Sequence, residues 1–230
     1  MTTLFFIHLI ELLAFLAGIF YYRRNKSRPN YYLVWFLGFT FCVEILGWYV
    51  YFVPDGFLSF IKDTSFESNH WLFNICTIIS FVFYISYFKW HLQSKRDTII
   101  LNSCILVFLI VSILEILISD GFFNRDMPIV NILGTIIVFL SIAFYYLQLL
   151  RSDQILEIHK SLIFYISIGT LFFYLCTTPL FIYSSYYSSS IDPSFIGIYS
   201  KILHGTNYLL YGIYILGFLV CVKHEKPIVL

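Results

Sequence analysis

TIILNSCILVFLIVSILEILIS, residues 98–119, is an apolar run interrupted by a single charged side chain, Glu115. As an α-helix rising about 1.5 Å per residue it would be about 33 Å long, enough to cross the roughly 30 Å hydrocarbon core of a bilayer. A barrel strand would need about ten residues and would alternate in polarity, which this run does not. Lipid offers no hydrogen-bond partner to a backbone amide. A segment of this kind therefore satisfies its amides internally, as a helix.

Six further runs have the same character. The spans are about 3–22, 31–54, 71–92, 98–119, 129–150, 161–183 and 195–222. Hydrophobic residues make up 60% of the 230, charged residues 12%, and mean hydropathy is +0.83. A soluble domain is about half apolar and a quarter charged. The fold class expected is all-α, a polytopic membrane protein with seven transmembrane helices in one bundle, forming a single domain over residues 1–230. The first span is not expected to be a cleaved signal peptide. It carries His8 and Glu11, and its basic residues follow it rather than precede it.

Basic residues assign the sides. Arg23, Arg24, Lys26 and Arg28 follow the first span, and Lys89, Lys95 and Arg96 lie around the third loop. Arg151 and Lys160 flank the fifth loop, and Lys223 and Lys226 are in the tail. The other side has only Lys62, Arg125 and Lys201, together with Asp55, Asp63, Glu67, Asp120, Asp126 and Asp192. The positive-inside rule then places the N-terminus outside and the C-terminus in the cytoplasm. The localisation expected is a cell membrane, inner or plasma, with multiple passes.

Several function classes fall away on residue type. No basic run suits nucleic acid, and no Gly-rich phosphate loop occurs. The loops between spans on the cytoplasmic side are too short for a kinase or nucleotide-binding domain. The five cysteines lie within spans and behave as small apolar fillers. Trp35, Trp48, Trp71 and Trp90 fall toward span ends with Tyr21, Tyr22, Tyr31, Tyr32, Tyr186 and Tyr187, the pattern of an interfacial belt. The outer stretch from Asp55 to His70 contains Phe57, Leu58, Phe60 and Ile61. It would lie on the membrane surface or cover the mouth of the bundle. The serine-rich stretch Ser184 to Ser190 reads as a connector.

The informative residues are polar and within spans, where hydrocarbon makes them expensive. His8, Glu11, Glu44, Glu115, Lys201 and His204 all fall in outer halves, joined by Asn74, Asn131, Thr177, Thr178 and Asn207. The inner half reads as apolar apart from Asn102, Ser141 and Gln148. His8 and Glu11 share a helix face, as do Lys201, His204, Tyr208 and Tyr211. If the helices close into a ring, the first and seventh become neighbours and these faces approach one another. The ligand-binding pocket candidates are His8, Glu11, Glu44, Asn74, His204, Asn207 and Tyr208. Glu115 and Lys201 are also placed where they could snorkel to the surface. Gly197, Gly205 and Gly212 share a face with Lys201, a pattern that also suits a tight helix contact. Imidazole and carboxylate from His8, Glu11, Glu44 and His204 could suit zinc, but no HExxH or close His pair supports a metal. Lys201 is too shallow for a retinal Schiff base. No catalytic residue and no cofactor is expected.

Cys176-Thr177-Thr178-Pro179 is similar to the CWxP region of G-protein-coupled receptors, but Asp-Arg-Tyr and Asn-Pro-x-x-Tyr are missing. Pro179 reads as a kink whose freed carbonyl the adjacent threonines help satisfy. The seven-span count resembles small 3+1+3 transporters, without their Pro-Gln dipeptides or repeats. Asn69-His70-Trp71-Leu72-Phe73-Asn74, Ile166-Ser167-Ile168-Gly169-Thr170 and His204-Gly205-Thr206-Asn207-Tyr208 give the chain a wider likeness. It resembles small uncharacterised seven-helix membrane proteins of bacteria. That resemblance implies a receptor-like sensor for a small-molecule ligand, signalling through a separate partner such as a histidine kinase. The alternatives are a small-solute transporter, which would need polar groups toward both faces, and an intramembrane enzyme.

Overall fold

Local sequence sets several helix starts. Ser27 accepts a hydrogen bond from the Asn30 amide at 3.3 Å, with Pro29 in the first turn. Ser94 does the same for Asp97 at 3.3 Å, and Pro128 opens another helix. Serine at the cap satisfies an otherwise orphaned amide, and proline at the start loses none. The computed structural model describes residues 2–54, 56–119, 121–184 and 193–222. It contains seven long helices: α1 (Thr2–Arg24), α2 (Arg28–Leu46), α3 (His70–Lys89), α4 (Lys95–Ile118), α5 (Pro128–Leu150), α6 (Leu162–Ser184) and α7 (Pro193–Cys221). All seven are long and apolar enough to cross a membrane. The chain is an all-α, multi-pass membrane protein.

The second span is α-helical only as far as Leu46 and continues as a 3-10 helix, Gly47–Phe52. The change falls where Phe73 packs on Gly47. A Cβ at Gly47 would lie 2.7 Å from the Phe73 ring. The amide of Asn69 donates to the Gly47 carbonyl at 3.0 Å, tying α3 to this segment. A second 3-10 stretch, Asp153–Lys160, joins α5 to α6.

The helices close into a ring. α1 packs on α2, α2 on α3, α3 on α5, α5 on α6, α6 on α7, and α7 back on α1. The expected adjacency of α1 and α7 is therefore present. α4 stands outside the ring against α3 and α5. In its most apolar stretch 17% of the residues are buried, against 50% for α5. Leu117 and Ile118 are 75% and 80% exposed, as a lipid-facing helix requires. The core is aromatic: Phe81, Tyr87, Phe88, Phe108, Tyr214 and Phe218 are almost wholly buried.

Three expectations are corrected here. Tyr21, read as part of the interfacial belt, is fully buried and its ring packs on Phe218 at 5.5 Å. Gly197, Gly205 and Gly212 face open space, so this stripe is not a tight helix contact. The close approaches occur at Gly134 against Phe81, Gly169 against Tyr214 and Gly217 against Tyr165. Around Pro179, Thr177 donates to the Phe173 carbonyl at 2.8 Å and Thr178 pairs with Thr135 of α5 at 2.9 Å. The threonines thus serve other partners than the carbonyl freed by the proline. In the outer stretch, Phe57 and Phe60 are each 76% exposed. Asp55, Asp120, Asp192, Tyr186, Tyr187, Lys223, Lys226 and most of the serine-rich stretch lie outside the described residues.

Candidate functional site

The N-terminal half of α1 carries two of the expected site residues one helical turn apart. His8 Nδ1 lies 3.2 Å from Glu11 Oε2. On the other side of the ring, the Trp48 indole donates to His8 Nε2 at 2.9 Å, with the two rings edge to face at 5.2 Å. An indole nitrogen can only donate. Nε2 must therefore hold a lone pair, which places the imidazole proton on Nδ1, where it donates to the Glu11 carboxylate. The three side chains form one directed chain, Trp48 to His8 to Glu11, joining the segment after α2 to α1. Trp48 is 38% exposed and lies at the rim, whereas Glu11 is 2% exposed.

Two more elements meet at Glu11. The Tyr211 hydroxyl of α7 lies within reach of the Glu11 carboxylate and of the Thr40 hydroxyl of α2. Glu44 of α2 interacts electrostatically with Glu11, and both interact with Cys76 of α3. Among the described residues no lysine or arginine forms an ion pair with either carboxylate; the pairs formed are His8–Glu11, His70–Asp126 and Lys160–Glu157. Two carboxylates near enough to act on one another in low dielectric, neither with a lysine or arginine partner, repel when both are ionised. A positive or hydrogen-bond-donating group would complete the site.

A second polar cluster runs deeper. Tyr84 of α3, Tyr174 of α6 and Tyr211 and Tyr214 of α7 are buried together. The Tyr84 and Tyr174 rings are 5.9 Å apart, and those of Tyr211 and Tyr214 are 6.4 Å apart. Tyr214 donates to the Tyr84 hydroxyl at 3.1 Å and lies 2.7 Å from the Thr170 hydroxyl. Gly169 makes room for it, since a Cβ there would come within 2.8 Å of the Tyr214 ring. Further toward the same end, Tyr146 pairs with Ser167 at 2.6 Å. The half of the bundle at the C-terminal ends of α1 and α7, which the sequence reading takes as apolar, thus carries buried hydroxyls. The sequence reading places Tyr208 and Tyr211 on the polar face of α7 and leaves Tyr84, Tyr174 and Tyr214 out. The missed signal is that the same face continues one turn on to Tyr214.

The remaining candidates are engaged in other ways. Asn74 is 3% exposed, and its amide donates to the Phe122 and Arg125 carbonyls at 2.8 and 2.9 Å. It holds the 121–127 loop onto α3. His204 lies 3.4 Å from the Ser200 hydroxyl, and Asn207 donates to the Leu203 carbonyl at 3.0 Å. Both contacts are within α7, and Tyr208 is half-buried beside them. Lys201 is exposed and forms no ion pair among the described residues.

Glu115 does not snorkel. It is 8% exposed and accepts from the amides of Ile129 at 3.2 Å and Val130 at 2.8 Å. These are first-turn amides of α5, where a carboxylate also meets the positive end of the helix dipole. Glu115→Ala strands two amides and should lower unfolding stability by about 1–3 kcal/mol. Glu115→Gln, which retains one acceptor, should recover part of it. Thermal unfolding in detergent checks this, and equal melting of all three proteins would show that the cap contributes nothing.

Among the described residues no three His, Cys, Asp or Glu side chains stand together to hold a metal ion. No protein-family model matches the chain, and no curated protein and no solved structure is similar to it.

Proposed function

We propose that the chain is a receptor-like membrane sensor whose input site is the cluster of His8, Glu11, Glu44 and Tyr211. The observation that carries this reading is the Trp48–His8–Glu11 chain at the rim, with Glu44 near enough to act on Glu11 and neither carboxylate ion-paired to a lysine or arginine among the described residues. A positive or hydrogen-bond-donating solute gains there what a buried acid pair lacks. To reach Glu11 it must displace the Trp48 indole from His8, so binding and movement of the rim are coupled. α7 contributes Tyr211 and closes the ring against α1. It is therefore the element whose position a bound ligand would shift, and in this reading the shift passes to a separate partner such as a histidine kinase. Orientation follows the basic asymmetry: the N-terminal end of α1, and with it the cluster, faces outward in a cell membrane.

One observation favours a second reading, small-solute or proton transport. The hydroxyls of Tyr84, Tyr214 and Thr170 extend polarity past the acid pair toward the other end. Transport needs such groups on both sides of a central site.

Hydrogen exchange on the purified protein in nanodiscs separates the readings, with a step from pH 8 to pH 6 and a step in sodium chloride as probes. The wild type should change its protection in α7 on at least one of the two steps. Glu44→Gln should remain folded and lose that response, whereas His204→Gln, whose contact is within α7, should keep it. A Glu44→Gln protein that responds as wild type would remove the cluster from the input. Collapse of an imposed pH gradient in proteoliposomes, abolished by Tyr214→Phe, would establish transport instead. A reporter fused at Leu230 should be active only in the cytoplasm, and the opposite result would reverse the orientation.

A further inference from the structure

Between the end of α1 and the start of α2 lies a cleft of about 440 Å³, lined by Tyr22, Lys26, Ser27, Arg28, Tyr31 and Tyr32. Its charge is unbalanced. No Asp or Glu occurs between Glu11 and Glu44, and among the described residues neither Lys26 nor Arg28 joins an ion pair. Of the neighbouring bases, Arg24 is placed elsewhere, over the Phe20 ring at 4.6 Å. The Ser27 hydroxyl and carbonyl are taken up by the amides of Asn30 and Tyr31, so the positive character comes from the two side chains.

The other wall is aromatic. Tyr22 meets Tyr31 at 5.7 Å, Tyr31 meets Trp35 at 6.1 Å, and Tyr32 meets Trp90 at 5.1 Å. Tyr31, Tyr32, Trp35 and Trp90 are 41%, 48%, 63% and 43% exposed. Such rings sit at the level of lipid headgroups. The cleft therefore places an ammonium, a guanidinium and tyrosine hydroxyls where a lipid phosphate lies, beside apolar rings along which acyl chains can pass.

We propose that this cleft binds the phosphate of an anionic lipid headgroup, held by Lys26 and Arg28 with the tyrosines of α1 and α2 around it. Arginine can grip a phosphate with two parallel hydrogen bonds and lysine supplies a point charge. A basic pocket between helices is a known physical solution for retaining such lipids. The site lies at the opposite end of α1 from His8 and is independent of the proposed sensing role. A lipid there would fix the turn between α1 and α2.

Native mass spectrometry of the intact protein from nanodiscs tests this, using phosphatidylglycerol in phosphatidylcholine. The wild type should retain phosphatidylglycerol selectively. The double variant Lys26→Gln/Arg28→Gln should lose that retention about tenfold, and Lys95→Gln/Arg96→Gln, an equally basic pair elsewhere, should keep it. All four side chains are exposed, so the variants should fold, which the melting temperature verifies. Equal loss in both double variants would reduce the effect to general surface charge and overturn the site. Displacement of the lipid by millimolar inorganic phosphate would make the ligand free phosphate and overturn the lipid assignment. Retention unaffected by Lys26→Gln/Arg28→Gln would also overturn it.

Discussion

Gly134→Val should leave little folded protein. Gly134 lies on α5 where that helix meets α3, and a Cβ there would run into the Phe81 ring. Phe81 cannot move aside. It is fully buried, with Phe108 at 5.6 Å on one side and Tyr174 stacked at 4.9 Å on the other. Overpacking a closed core costs about 1–3 kcal/mol, and a β-branched side chain against a ring trapped on both sides belongs at the upper end. The contact also joins two members of the ring, so its loss reaches α4, which depends on α3 and α5 for its packing. Folded yield and thermal unfolding in detergent measure the effect. Gly134→Ala should show a smaller loss, and Phe81→Leu in the Gly134→Val background should restore part of it. A Gly134→Val protein that melts like the wild type would mean that α3 and α5 do not approach in this way.

His8→Leu should destabilise the protein more than His8→Leu and Glu11→Leu together. Removing the imidazole alone takes the His8 donor from a buried carboxylate and frees the Trp48 indole. A stranded buried polar group costs about 1–3 kcal/mol, whereas replacing both partners by apolar groups can be nearly neutral. Trp48, on the rim, can turn to water or headgroups. The two changes should therefore be non-additive, as expected for groups in contact. Additive losses would show that the two side chains do not interact. Trp48 reports on the same bond in the wild type. Protonating His8 turns Nε2 into a donor, which cannot accept from the indole, so acidification should release Trp48. Glu11 and Glu44 are the titratable groups around it. With Trp35, Trp71 and Trp90 replaced by Phe, the fluorescence of Trp48 should change on acidification, and His8→Gln should abolish the change.

The two results bear differently on the proposed function. The Gly134 variant probes only the frame. The His8 and Glu11 cycle measures how much of the cluster is structural. Its comparison with Glu44→Gln, which breaks no hydrogen bond among the described residues, shows what remains for sensing.

The seven membrane helices were legible in the sequence because one physical requirement sets them. A backbone in hydrocarbon must bond to itself, and runs such as 98–119 have the length and composition to do so. The pairing of His8 with Glu11 was legible for a similar reason, since a spacing of three is a property of the helix alone. What the tertiary structure decided is which faces meet. α4 is as apolar as any span, yet it lies outside the ring, and local hydropathy carries no term for neighbours. Glu115 could be placed in depth but not in role, because its partners are amides of another helix, fourteen and fifteen residues away. Trp48 reads as a membrane anchor, and only the closure of α2 against α1 makes it the donor to His8, forty residues distant. The tyrosine hydroxyls of Tyr84 and Tyr214 are 130 residues apart in sequence. A tyrosine is apolar along most of its length and polar at its tip, so whether it anchors, packs or bonds depends on what the fold brings to that tip.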